Sequence, residues 1–136
     1  MRAGQILRAF AATILVLNVI ATVIAVVVNL PSQFGITGTD ARSEFLISGT
    51  AISAPLLPVV LLLIVVALGA RADRWRWVGI GAAYLAALTV AIGGVGELVA
   101  EPTEDTPKSV LIGAGVAWLA IAAALAAVTT AAVARR

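Results

Sequence analysis

The sequence contains no cysteine and no histidine, and charged residues make up only 12% of it. The first two absences exclude disulfide bonds, thiolate nucleophiles, imidazole ligation of zinc or haem, and the commonest general base at neutral pH. No phosphate-binding loop motif, metalloprotease motif or hydrolase nucleophile motif occurs. We therefore expect no catalytic residue, no metal site and no cofactor, and we expect that the protein is not an enzyme.

Apolar sequence is abundant: 62% of the 136 residues are hydrophobic, and the mean hydropathy is +1.11. A typical soluble domain is roughly half apolar and about a quarter charged. Four long apolar runs predict an all-α fold, an integral membrane four-helix bundle with spans over about 9–30, 45–70, 78–98 and 110–133. The connections are too short for another domain, so residues 1–136 are expected to form a single four-span domain.

The first span is the clearest, because 22 uncharged residues follow Arg8, from Ala9 to Leu30. At about 1.5 Å per residue they cover roughly 33 Å, the thickness of a bilayer core. The segment begins like a signal peptide, but it exceeds the ~7 to 15 apolar residues of that class. No small-x-small cleavage site follows it, so we expect it to be retained as a membrane anchor.

The second span contains two prolines, Pro55 and Pro58, within its apolar run. Proline removes a backbone donor, so a bend is expected there. The residues from Leu56 to Ala70 are too few to cross alone at about 1.5 Å each, so the part before the prolines must share the crossing. A kinked helix is the favoured prediction, and a broken or partly re-entrant segment is the alternative.

Charge is divided unequally between the two predicted sides of the membrane. One side has seven basic residues and a single acidic residue, Asp73. The basic residues are Arg2, Arg8, Arg71, Arg74, Arg76, Arg135 and Arg136. The other side carries two basic residues, Arg42 and Lys108, together with every acidic residue except Asp73. Short basic loops stay in the cytoplasm, so this bias predicts that both termini are cytoplasmic. The spread of the basic residues fits membrane orientation rather than nucleic-acid binding.

Arginine outnumbers lysine eight to one, and alanine and valine are prominent among the apolar residues. Such a composition is typical of GC-rich bacterial coding sequence. We therefore expect a multi-pass protein of a bacterial cell membrane, surrounded by the lipid bilayer.

Small residues recur at helical spacing in the third and fourth predicted spans. In lipid, helices associate through close packing of small residues, because lipid tails are as apolar as leucine. The small residues of the third span share one face with Glu97. These residues are Gly79, Ala83, Ala86 and Gly93. The small residues of the fourth span lie opposite the bulky residues Trp118, Ile121 and Leu125. These small residues are Gly113, Ala117, Ala120, Ala124 and Ala127. Both stripes are predicted helix-packing surfaces.

Four polar residues in or beside the apolar runs are candidate ligand-binding residues: Glu97, Asn18, Asn29 and Ser53. Glu97 lies 20 residues beyond Trp77, or about 30 Å at 1.5 Å per residue, near the outer hydrocarbon boundary. An interfacial carboxylate, or one paired with Arg42 or Lys108, is favoured over a functional carboxylate. Asn18 falls near mid-membrane, where a hydrogen bond between helices is favoured over contact with a ligand or ion.

Two functions fit this pattern. The favoured one is a non-enzymatic accessory or assembly subunit that contacts copies of itself or another membrane protein laterally, through the alanine stripe of the fourth span. The alternative is a binder or transporter of a small cationic or amphipathic molecule, with an outward-facing vestibule and Glu97 as its anionic group. Small residues beside a bent helix fit a vestibule and a tight helix seam equally well.

Overall fold

The structure, a computed structural model, describes residues 2–28, 30, 49–50, 53–102, 104 and 106–134. These residues form four helices and no strand, which confirms the predicted all-α class. The helices are α1 (Ala3–Val28), α2 (Leu56–Leu68), α3 (Arg76–Val99) and α4 (Lys108–Ala134). Helices α1, α3 and α4 are long and apolar enough to cross a membrane. Helix α2 has 13 residues, which cover only about 20 Å.

The four helices form a closed ring in which each packs against two others. Helix α1 packs against α2 and α4, and α3 packs against the same two helices. Helices α1 and α2 run in opposite directions, because Gly4 lies against Gly69 at one end and Asn18 bonds to Ala54 at the other. Since Asn18 is near the middle of α1, α2 covers only the first half of the length of α1.

The interior of the ring is filled by large side chains that pack onto a helix with a small-residue face. On α3 most of the buried residues are small, and these are Gly79, Ala82, Ala83, Ala86, Ala87, Gly93 and Gly94. The other helices contribute larger side chains to the same core, and these are Leu7, Ile14, Leu62, Val65 and Leu125. This pairing keeps the helix axes close and still fills the space between them, which increases the dispersion contacts.

Helix α2 begins at Leu56, directly after Pro55, instead of continuing through the prolines. Pro55 is the N-cap and has an extended backbone, with φ −67° and ψ 174°, and Pro58 lies in the first turn. Proline is tolerated in a first turn because the N–H groups there have no acceptor within the helix. The kinked helix is therefore wrong over the described residues, in which the segment is broken; residues 45–48 lie outside them.

Before Pro55, Thr50 and Ser53 are buried and are joined by two backbone hydrogen bonds. The N–H of Thr50 donates to the carbonyl of Ser53 at 3.1 Å, and the N–H of Ser53 donates to the carbonyl of Thr50 at 3.2 Å. Gly49 has a φ of 72°, and a Cβ there would lie 2.7 Å from the carbonyl oxygen of Ser53. Both the backbone angle and the available space therefore select glycine at this position.

In the half of the ring beyond α2, helices α3 and α4 meet through two glycines. A Cβ on Gly115 would lie 2.7 Å from the carbonyl oxygen of Gly94, and a Cβ on Gly94 would lie 2.9 Å from that of Gly115. The two backbones therefore touch, and the contact leaves no space for a side chain. Gly113, on the same helix, is exposed and has no atom within 4 Å of the position that its Cβ would take.

Replacing Gly115 with valine is expected to destabilise the protein by about 1 to 3 kcal/mol, because α3 and α4 must separate to admit the side chain. Gly113→Val is the matched control, since it makes the same change on the same helix in open space. Thermal unfolding in detergent, followed by circular dichroism, measures the difference. Equal melting temperatures for the two variants would contradict the backbone contact.

Candidate functional site

The polar residues predicted from the sequence meet, in part, where α2 begins. Asn18 is 6% exposed, and its Oδ1 accepts a hydrogen bond of 2.7 Å from the N–H of Ala54. Ala54 precedes α2, so no carbonyl of that helix is available to its N–H. The hydroxyl of Thr22 donates in turn to the carbonyl of Asn18 at 2.8 Å. Asn18 thus joins the middle of α1 to the start of α2.

Ser53 lies beside this contact, and it bonds within its own turn. Its hydroxyl is 2.7 Å from that of Thr50, and its N–H also donates to the Thr50 hydroxyl at 3.1 Å. Both side chains are fully buried, so they stabilise the turn. The third candidate, Asn29, lies outside the described residues.

Thr50 and the backbone of Ala54 were not among the candidates drawn from the sequence. The available signal was a pair of hydroxyl residues shortly before Pro55, whose ring disfavours a helical conformation for the residue that precedes it. A non-helical segment in apolar surroundings needs local hydrogen-bond partners, and hydroxyl side chains supply them. Two hydroxyl residues shortly before a proline in an apolar run therefore indicate a hydrogen-bonded turn, as the structure shows for Thr50 and Ser53.

Glu97 lies on the buried face of α3, with 2% of its surface exposed. The small residues predicted for this face are buried together with Glu97, and they are Gly79, Ala83, Ala86 and Gly93. Glu97 is two residues from the end of α3 and one turn beyond Gly93. The carboxyl group is therefore shielded by protein although it stands close to the end of its helix.

Lys108 bonds to the backbone at the end of α3. Its Nζ donates to the carbonyls of Leu98 and Ala100, at 3.0 and 2.8 Å. These carbonyls stand at the end of α3, where orphan acceptors and the negative end of the helix dipole attract a cation. The pairing of Glu97 with Arg42 or Lys108 stays a prediction, and Arg42 lies outside the described residues.

The space around these polar residues is limited. A cavity of about 10 Å³ lies between the start of α2 and the facing residues Val90, Gly93 and Trp118. Holding one water molecule takes roughly 10 to 15 Å³. A groove of about 320 Å³ lies between α1 and the start of α2, lined by Asn18 and mainly apolar side chains. Glu97 lines neither space, so these cavities do not bring it together with Asn18.

The face of α4 that packs against the other helices combines large and small side chains. Its buried residues are Leu111, Gly115, Trp118, Ala122, Leu125, Thr129 and Ala132. The predicted packing stripe lies elsewhere on the helix: Gly113, Ala117, Ala120 and Ala127 are exposed, and Ala124 is half-buried. Because α3 already presents a small-residue face, large side chains of α4 such as Trp118 fill the space against it.

At the other end of the ring, charged residues order the turn between α2 and α3. Arg71 and Asp73 form an ion pair, with Nη2 and Oδ2 2.7 Å apart. Hydrogen bonding from Arg71 lowers the pKa of Asp73 below its usual value, so the carboxylate stays ionised. Asp73 also accepts a hydrogen bond of 3.1 Å from the N–H of Trp75, just before α3. Arg76 donates through Nη2 to the carbonyl of Ala132, which ties the start of α3 to the end of α4.

Comparison with protein-family models, with curated proteins and with solved structures finds no match for this chain. What the described residues can do therefore follows from their own geometry. They provide a polar contact that fixes α2 to α1, a shielded carboxyl group near the end of α3, and an exposed face of small residues on α4.

Asn18→Leu is expected to destabilise the protein by about 0.6 to 2 kcal/mol, because it removes a hydrogen bond between two apolar segments. The N–H of Ala54 should then exchange faster with deuterium. Thr13→Val is the control on the same helix, since the exposed hydroxyl of Thr13 bonds only to the carbonyl of Ala9, at 3.0 Å. Exchange at Ala54 that is equally slow in both variants would contradict the role given to Asn18.

Proposed function

We propose that the protein is inserted in a membrane through α1, α3 and α4, while α2 reaches only the middle of the bilayer. The support is the length of these three helices and the apolar surface that the ring presents to its surroundings. On α1, for example, Val19 is 62% exposed and Val27 is 71% exposed. Contiguous apolar surface of this extent is unfavourable in water and favourable against lipid chains.

The proposed orientation places the turn between α2 and α3 in the cytoplasm of a bacterial cell, together with the start of α1. Basic residues are concentrated at this end, and those that the structure describes are Arg2, Arg8, Arg71, Arg74 and Arg76. The opposite end carries Glu101, Glu104 and Lys108. A basic excess in short loops is typical of the cytoplasmic side.

Single cysteines test this orientation directly, because the chain has none of its own. Arg74→Cys and Glu104→Cys each replace an exposed residue, one at each end of the ring. A membrane-impermeant thiol reagent is expected to label Glu104→Cys in spheroplasts and Arg74→Cys only after the membrane is opened. The reverse labelling pattern would contradict the orientation, and equal labelling of both in intact spheroplasts would contradict membrane insertion.

We further propose that the protein is a non-enzymatic accessory or assembly subunit that packs laterally against a transmembrane helix, either of a second copy or of another membrane protein. The outer face of α4 is the proposed contact surface. The observation that carries this proposal is that the exposed residues of α4 are smaller than those of α1 and α3. Beyond Val116, the exposed residues of α4 are small ones: Ala117, Ala120, Ala123, Ala127, Thr130 and Ala134.

The outer faces of α1 and α3 are bulky by contrast. Their exposed residues include Val16, Leu17 and Ile20 on α1, and Leu85, Leu88 and Ile92 on α3. Bulky branched side chains interdigitate with lipid chains, whereas a strip of small residues lets another helix backbone approach closely. The small face of α4 therefore favours a protein neighbour over lipid.

The alternative function, a binder or transporter of a small cationic molecule, draws its support from Glu97. A carboxyl group shielded near the end of a membrane helix is suited to attract a cation. The backbone contact of Gly94 with Gly115, one turn from Glu97, leaves no vestibule between α3 and α4 at that level. This contact favours the lateral-packing proposal.

Leucine at both Ala120 and Ala124 is expected to weaken lateral association about tenfold, the effect of ~1.4 kcal/mol, because the larger side chains hold the partner helix away. Ala67→Leu is the matched control, since Ala67 is an exposed alanine on α2. Crosslinking in native membranes, followed by intact-complex mass spectrometry in mild detergent, measures the association.

The proposal is supported if the wild-type protein is recovered with a second copy or a stoichiometric second protein, and this partner is lost in the double variant but kept in Ala67→Leu. Complexes that survive the double variant unchanged would show that the outer face of α4 is not the contact surface. A protein recovered alone with a small molecule that disappears in Glu97→Gln would favour the alternative function.

A further inference from the structure

A cavity of about 480 Å³ lies at the basic end of the ring, between the start of α1 and the turn that joins α2 to α3. Three arginines line it, Arg2, Arg71 and Arg76, together with Gln5 and the backbone of several small residues. None of the described residues that line it is acidic. The volume is within the range of about 300 to 1,000 Å³ that is usual for small-molecule sites.

The walls of this cavity are held in place by close backbone contacts. A Cβ on Gly4 would lie 2.8 Å from the carbonyl oxygen of Gly69, and a Cβ on Gly79 would lie 2.7 Å from the nitrogen of Gly69. Three segments, the start of α1, the end of α2 and the start of α3, therefore meet with no side chain between them. The backbone positions from which the arginine side chains extend are consequently set by packed backbone.

The charge of the cavity is positive and largely uncompensated. Arg71 is paired with Asp73, which lies outside the lining. Arg2 and Arg76 form no ion pair with any acidic residue in the described ranges. The first residues of α1, Ala3 and Gly4, also line the cavity, and the first N–H groups of a helix lack helical acceptors and carry the positive end of its dipole.

Arg76 adds an observation that points to a ligand. Its Nη2 donates to the carbonyl of Ala132, but its Nε is buried and has no hydrogen-bond partner in the part of the chain that the structure describes. A buried donor without an acceptor is unfavourable, and more so on a charged group. A rotation of the Arg76 side chain toward an acceptor in the cavity would remove this cost.

We propose that this cavity binds a phosphate group. Guanidinium groups match phosphate oxygens with two parallel hydrogen bonds, and the N–H groups of a helix start bind the same oxygens. Arg2 and Arg76 supply the uncompensated charge, and Arg71, held by Asp73, forms the third side of the site. This site is separate from the outer face of α4 and does not depend on the lateral contact proposed there.

Two sources of phosphate share this chemistry, an anionic lipid headgroup and a soluble phosphate. Trp75 and Trp77 stand beside the cavity at the start of α3, and each is 49% exposed. Tryptophan is enriched at the level of lipid headgroups. With the membrane insertion proposed above, on which this step rests, the cavity opens where lipid phosphates are concentrated, which favours the headgroup as the source.

Lipid binding in mixed micelles tests the proposal, with phosphatidylglycerol and phosphatidylcholine as the probes and native mass spectrometry of the full chain as the readout. Arg2→Gln and Arg76→Gln are each expected to reduce phosphatidylglycerol binding about tenfold, because each removes a charge-assisted hydrogen bond to the phosphate. Arg8→Gln and Arg74→Gln are matched controls, because these exposed arginines lie at the same end without lining the cavity. They should change binding less than about twofold.

Competition by inorganic phosphate distinguishes the two sources. Phosphatidylglycerol that stays bound in millimolar phosphate supports a headgroup site, whereas displacement by phosphate supports a soluble ligand in the same cavity. Equal losses in Arg2→Gln and Arg74→Gln would overturn the proposal, because diffuse surface charge would then explain the binding. No preference for phosphatidylglycerol over phosphatidylcholine, with no binding of phosphate, would overturn it as well. Arg2 is exposed, and among the described residues its side chain forms no hydrogen bond or ion pair with another helix, so Arg2→Gln tests the site even if Arg76→Gln disturbs the fold.

Discussion

A peptide N–H in apolar surroundings must find its acceptor within the protein, and the arrangement of this chain depends on how that requirement is met before α2. Asn18 accepts from Ala54, and Thr50 and Ser53 bond to each other. Because these groups have partners within the protein, the chain can be non-helical before α2, at the level of the middle of α1. Pro55 then starts α2 there, and α2 is short as a consequence.

The short α2 divides the ring into two unlike halves. In one half, α2 fills the space beside α1 and α3, and three glycines bring the helix ends close enough to shape the basic cavity. In the other half, α3 and α4 approach until Gly94 and Gly115 touch. Helix α4 fills the remaining space with Trp118 and Leu125, and a strip of its small residues, which includes Ala117 and Ala120, lies on the outside. The proposed lateral contact and the proposed phosphate site thus stand at different places on the ring.

The sequence predicted the helical class and the face of α3 that carries Glu97, because apolar runs and helical spacing are properties of one segment. The start of α2 depends on an acceptor 36 residues away in the chain, so Pro55 alone fitted both a kink and a helix start. Spacing grouped Ala117 with Ala120 but did not say whether they face inward, because both sides of α4 are apolar and lipid gives no polar contrast. The hydrogen bonds of Lys108 to carbonyls at the end of α3 likewise depend on where that helix ends, which residue spacing does not determine.

The most direct test is the depth of the start of α2 in a bilayer. Leu57 is suited to a nitroxide spin label, since it lies in the first turn of α2 and is 60% exposed. Labels at Leu17, near the middle of α1, and at Val99, at the end of α3, provide the reference depths by power saturation with oxygen and a nickel chelate. We expect the depth at Leu57 to agree with that at Leu17 within about 5 Å, one helical turn. A depth at Leu57 equal to that at Val99 would contradict a helix that begins in the middle of the membrane.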